Sequence, residues 1–166
     1  MELLHISYDI GRLVTSKEIT AVIDLFHTSP TEINEVHAHG RFNEFLFFAH
    51  RPYVMTAGES VTYSLSIDDG LVIDAGGLFY HEDAAKLASL VDEFCTRFGV
   101  DMDTAEEIIS ERQQLDSFDA DDSWDVQVFT ARAAKLLGFR GVAVTDEQGT
   151  AYMIDMADRA SELVRA

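Results

Sequence analysis

The chain holds one cysteine, two prolines and one tryptophan in 166 residues, and twelve lysines and arginines stand against thirty aspartates and glutamates. Each scarcity excludes something. A single thiol, Cys95, cannot close an internal disulfide or build a zinc ribbon, and its place beside Phe94 and Phe98 in a helical pattern suits a small buried hydrophobe. Two prolines and ten glycines, with no Ser/Gly-rich stretch and no internal repeat, leave no linker or low-complexity segment. No run approaches the roughly 18 apolar residues of a membrane span, and the Met1-Glu2-Leu3-Leu4-His5 start lacks the features of a signal peptide. A cytoplasmic protein without a membrane partner is expected. The shortage of basic residues leaves a formal net charge of -18, which argues against direct binding to nucleic acid. It suits a basic partner, including a protein whose own basic face holds nucleic acid.

What is present points to one well-cored domain, since 47% hydrophobic content in this length is too little chain for two. The clearest strand is Val61-Thr62-Tyr63-Ser64-Leu65-Ser66-Ile67, with apolar side chains on one face and hydroxyls on the other. Further strands are expected at 22–26, 45–49, 71–75, 141–145 and 151–155, six in all. Three helices are expected between the fourth and fifth. The first starts near Glu82, carries Leu87, Leu90, Val91, Phe94 and Phe98 at helical spacing, and stops at Gly99. A short second one opens on the capping pattern Asp103-Thr104-Ala105-Glu106. The third runs from about Ser123 to Leu137 with Val126, Phe129, Ala133, Leu136 and Leu137 inward, Trp124 as a core anchor and Gly138 as its stop. Four acids in Asp116-Ser117-Phe118-Asp119-Ala120-Asp121-Asp122 lack the glycine and distal glutamate of a calcium loop and read as capping of that helix.

Familiar catalytic signatures are missing. There is no Gly-x-Ser-x-Gly elbow, phosphate-binding glycine loop or dinucleotide fingerprint. His37-Ala38-His39 offers two imidazoles without a third or fourth ligand at a recognisable spacing, so no metal site is expected. Three segments remain that can converge at the rim of a sheet. Phe26-His27-Thr28-Ser29-Pro30 ends an apolar strand on a histidine and two hydroxyls. Gly40-Arg41-Phe42-Asn43-Glu44-Phe45-Leu46-Phe47-Phe48-Ala49, followed by Tyr53, joins one positive charge to an aromatic strand. Gly141 to Ile154 holds two strands joined by the acidic turn Asp146-Glu147-Gln148-Gly149.

This set resembles the histidine-type branch of the ADP-ribosyltransferase fold. More closely, the FHTSP, GRFNEFLFFA, YVMTAG, LGFRG and DEQGTAYMIDM segments are similar to the ADP-ribosyltransferase anti-CRISPR proteins that disable type I-F surveillance complexes, over roughly residues 22–156. The resemblance implies an α+β fold of split mixed and antiparallel sheets flanked by helices, with residues 22–166 as the single domain and 1–21 as an N-terminal extension of unassigned role. It implies transfer of ADP-ribose from NAD to a protein side chain, an asparagine of the complex's large subunit, so that DNA recognition is blocked. His27 would then bond a ribose hydroxyl, the Thr28 backbone would hold the nicotinamide amide, and Phe47 or Phe48 with Tyr53 would wall the ring. Arg41 would meet the pyrophosphate, and Gln148 would orient the ribose or the acceptor.

Breaking the nicotinamide bond develops positive charge on the ribose, so a nearby carboxylate stabilises the transition state above the ground state. Asp146 is assigned that catalytic role, with Glu147 as the alternative; Ala151 stands where a glutamate is used by many transferases of the fold. Two other functions fit the same composition. One is a non-catalytic acidic mimic of DNA that occupies a DNA-binding surface, and the other is an ADP-ribosylating toxin with a different target.

Overall fold

The computed structural model describes residues 21–38, 41–52, 58–117, 119–146 and 149–166. Seven strands occur among them: β1 (Val22–Ser29), β2 (Phe45–Phe48), β3 (Val61–Asp68), β4 (Val72–Asp74), β5 (Gly141–Asp146), β6 (Gly149–Asp155) and β7 (Val164–Arg165). Three α-helices, α1 (Ala88–Phe98), α2 (Met102–Ile109) and α3 (Ala120–Leu136), lie between β4 and β5. The strands form two sheets, an antiparallel β1-β3-β7 and a mixed β2-β6-β5-β4 in which only β4 and β5 run parallel. This is the α+β arrangement of split sheets and helices expected from the sequence. The short strand β7 adds one more than the six foreseen, because two residues suffice to pair with Tyr63 and Ser64 yet show no alternation.

Among the described residues the two sheets are joined at one backbone bridge, where Phe26 and Ala49 exchange hydrogen bonds of 2.8 and 3.0 Å. Beyond it β1 continues with β3 and β2 continues with β6, so the sheets diverge there. Period-2 alternation assigns the residues of β2 to two cores. Phe45 and Phe47 face the helices, whereas Leu46 and Phe48 face the other sheet. The main core gathers Leu90, Val91 and Phe94 of α1, Ile108 and Ile109 of α2, Phe129 and Ala133 of α3, and Val142, Val144 and Met153 of the sheet. A smaller core between the sheets holds Leu25, Phe48, Leu65, Ile67, Ile154 and Met156. Each such fully buried large side chain stabilises the fold by about 1.5–3 kcal/mol.

Several expectations shift in detail. β1 runs on through Thr28 and Ser29, because β3 is long enough to pair with them, and His27 therefore lies inside a strand opposite Tyr63. Pro30, lacking an amide donor, follows its last residue. The residues from Ala84 to Leu87 form a 3-10 turn ahead of α1. The N-cap of α2 is Asp101, which accepts from the Thr104 amide at 2.7 Å, in place of Asp103. Asp119 caps α3 by accepting from the Asp121 amide at 2.9 Å, and Asp121 and Asp122 lie in its first turn. Trp124 is no core anchor: the indole is partly exposed, with the Phe42 ring at 6.3 Å and the Arg41 guanidinium 3.8 Å from its centre. Leu136 is exposed, and the buried stretch of α3 is Val128 to Ala131 with Ala133 and Ala134, since its second half is enclosed by the sheet and both other helices.

Candidate active site

A cleft of about 780 Å³ opens where the sheets part. Its first wall is Phe26, His27 and Thr28 of β1, and its second is Phe47 and Phe48 of β2 with the tail Ala49-His50-Arg51-Pro52. Asp146 at the end of β5, with Thr150 and Ala151 of β6, supplies the third. The topology explains the convergence. The order β2-β6-β5 carries the end of β5 toward the bridge, and β1 pairs with the end of the β2 segment there.

The imidazole of His27 spans the split. Its Nδ1 lies 2.6 Å from the carbonyl of Phe47, and a carbonyl only accepts, so Nδ1 carries the proton. In the neutral ring Nε2 is then an acceptor. Burial holds the His27 pKa below its ordinary value, opposed in part by the Phe47 bond, which keeps the ring neutral near pH 7. The Phe48 ring, itself buried, sits at 5.6 Å from the imidazole and tilts across it. Thr28 is fixed by its hydroxyl, 3.2 Å from that of Thr62. Because backbone direction alternates along a strand, its amide and carbonyl face the same edge as those of Phe26, toward β2.

The residues singled out by the sequence are placed as follows. His27, Thr28, Phe47, Phe48 and Asp146 line one cleft. Phe47 reaches it from the wall shared with the main core, its ring at 4.6 Å from Phe42. Arg41 is not brought there: its guanidinium forms an ion pair with Asp121 and covers Trp124. The cation on the cleft is Arg51, an exposed residue two positions after the bridge. Tyr53, Glu147 and Gln148 lie outside the described residues, as does His39. His37 has Glu35 at 3.7 Å, and no group of three or more metal-ligating side chains occurs among the described residues.

Sequence reasoning passed over His50 and Arg51, although the signal was present. The chain has two prolines, and each closes the same kind of segment, Phe26-His27-Thr28-Ser29-Pro30 and Phe48-Ala49-His50-Arg51-Pro52. Each runs from a phenylalanine through a histidine to a polar residue and a break, and the structure sets them on facing walls of the cleft. His50 Nε2 lies 2.7 Å from the Tyr152 hydroxyl, which braces this tail against β6.

Two sheets that part at a bridge, with helices packed on one of them, are consistent with the class of ADP-ribosyltransferase-like folds. The anti-CRISPR type I-F ADP-ribosyltransferase AcrIF11 family model matches residues 25–161, and the chain belongs to that family. A solved structure described as the crystal structure of an anti-CRISPR protein is similar over 82% of this chain and 91% of its own, with a TM-score of 0.57 and 26% identity. No curated protein gives a significant match. The family is one of NAD-dependent transferases, so the reaction class is ADP-ribosyl transfer.

Proposed function

We propose that the protein transfers one ADP-ribose from NAD to an asparagine of the large subunit of a type I-F CRISPR complex, in the bacterial cytoplasm, and so blocks recognition of target DNA. Family membership supports the chemistry and the kind of complex. The observation that carries the reading is the convergence of His27 and Asp146 on one cleft at the split of the sheets. Its volume is in the range of small-molecule sites, about 300–1,000 Å³.

In this reading the neutral His27 accepts a hydrogen bond from a ribose hydroxyl through Nε2, the one acceptor its bond to Phe47 leaves. The Thr28 backbone holds the nicotinamide amide. Phe47 and Phe48 with Tyr53 provide apolar walls, and Gln148 orients the ribose or acceptor. Arg51 is the cation we assign to the pyrophosphate, because Arg41 would have to leave Asp121 and Trp124 to reach it. NAD supplies an electrophilic ribose carbon with a neutral leaving group, and Asp146 stabilises the positive charge that grows there. We assign the transferase domain to residues 22–166, with 1–21 an N-terminal extension of unassigned role.

The encounter is favoured by charge. A formal -18 against a subunit that grips DNA is complementary over long distance, and it repels DNA itself. Free nicotinamide, followed by chromatography, tests the reading. Release is expected when the protein, NAD and the complex are combined; none above the enzyme-free rate would contradict it.

A further inference from the structure

Asp146 belongs to two clefts. Besides the one between the sheets it lines a second, of about 700 Å³, walled by the segment that follows α2 and by the start of α3. Its polar lining includes Glu111, Gln113, Gln114, Ser117 and Ser123, with Thr145 beside Asp146 on β5. Asp146 is the one residue common to both linings.

Glu111 is held there at a cost. It follows Ser110, the C-cap of α2, with φ at 62°, the left-handed region that strains a residue bearing a Cβ. The other two helices place glycine at the corresponding turn, Gly99 with φ of 68° and Gly138 with φ of 94°. At α2 the chain keeps a glutamate where glycine is the unstrained choice. Its carboxylate accepts from the Thr145 amide at 3.0 Å, on the side of β5 that β4 no longer covers, since their pairing ends at Ala143. The group thus stands one residue from Asp146. Burial against β5 raises its pKa, opposed by the Thr145 amide, and the charge of Asp146 raises it further.

Resting on the transferase reading above, we infer that this second cleft is the acceptor subsite, that it takes a carboxamide side chain, and that Glu111 removes the proton from the attacking nitrogen. A transfer needs donor and acceptor to approach one carbon from different sides, and two clefts meeting at one carboxylate satisfy that. Among the described residues the lining has no lysine or arginine, and its two carboxylates repel an acidic acceptor. Gln113, Gln114 and Ser123 offer the paired donors and acceptors that suit an amide. In the step, the bond from ribose C1′ to the nicotinamide nitrogen breaks, and nicotinamide leaves with the electron pair as a neutral base. The amide nitrogen forms the new bond to C1′, and its proton passes to the Glu111 carboxylate and then to water.

Two variants test this with purified type I-F complex as acceptor. E111Q keeps an oxygen that can accept from Thr145, and E111G relieves the backbone strain, so both are expected to melt no lower than the parent. Each should lower the single-turnover rate of transfer by about 10²-fold, the usual worth of a general base, with the NAD dissociation constant by calorimetry unchanged within about twofold. Parental rates in E111Q would show that Glu111 only braces β5 and would overturn the assignment. So would a parallel loss of NAD affinity, which would place it in the donor site. Failure of the parent protein itself to consume NAD would instead refute the transferase reading.

Discussion

A single hydrogen bond sets the chemical state of His27. With Nδ1–H committed to Phe47, protonation at Nε2 removes the ring's only acceptor, and burial makes that protonation harder than in the unfolded chain. The sign follows: the folded pKa is depressed, so the stabilisation from neutral His27 is full above the unfolded value of about 6.5 and is lost as pH falls through the lower folded value. NAD affinity measured by calorimetry should accordingly stay flat from pH 8 through about 6.5 and fall only further into the acid range, where the folded ring takes up its proton. His27→Ala should weaken NAD binding by about 3–10-fold, one hydrogen bond's worth, and abolish that pH dependence. In the proposed reaction Asp146 acts at another stage. Asp146→Asn should slow transfer by about 10²–10³-fold with NAD affinity changed less than about threefold, since its charge matters most in the transition state. Full turnover by that variant would shift the role to Glu147. His27 and Asp146 were legible as residues because each ends an apolar run on a polar group. Arg51 and Glu111 were not: the importance of the first depends on a bridge between sheets, and that of the second on a missing glycine at the end of α2.

At the scale of elements, the site depends on how closely β5 and β6 run together. Gly141 begins β5 with no room for a side chain: a Cβ there would stand 2.4 Å from the Ile154 side chain and 2.8 Å from the Met153 carbonyl. The carbonyl belongs to the ladder and cannot move aside. Gly141→Ala is expected to destabilise the domain by about 1–3 kcal/mol, read as a lower midpoint in denaturant at unchanged slope. An unaltered midpoint would mean that the β5–β6 pairing is looser than described. Periodicity revealed most of these elements, because β3 alternates cleanly and α1 repeats at helical spacing. Terminal details escaped it, such as the cap of α2 falling at Asp101 and β1 extending through Ser29, since caps and pairing partners depend on what lies across space. Trp124 misled for the same reason. Its aromatic bulk suggested a core, whereas the fold leaves it at the first turns of α3, where Arg41 covers it.

In the proposed encounter, the acidity of the whole molecule is what draws it to a basic partner. Association with the complex should slow by about tenfold or more between 50 and 500 mM salt, as long-range attraction is screened, while the single-turnover rate once bound stays constant. An association rate indifferent to salt would remove charge from the account. The fold class was foreshadowed by the sequence, through segments that are weak singly and specific together, and five of the residues they singled out line one cleft; the second cleft needed the chain folded, because Glu111 and Asp146 are thirty-five positions apart in sequence. The most direct measurement is the intact mass of each subunit of purified type I-F complex after incubation with the protein, with and without NAD. The account predicts a gain of one ADP-ribose on the large subunit only when NAD is present. Loss of DNA binding without NAD and without any change in mass would contradict it, and would leave an acidic mimic in place of an enzyme.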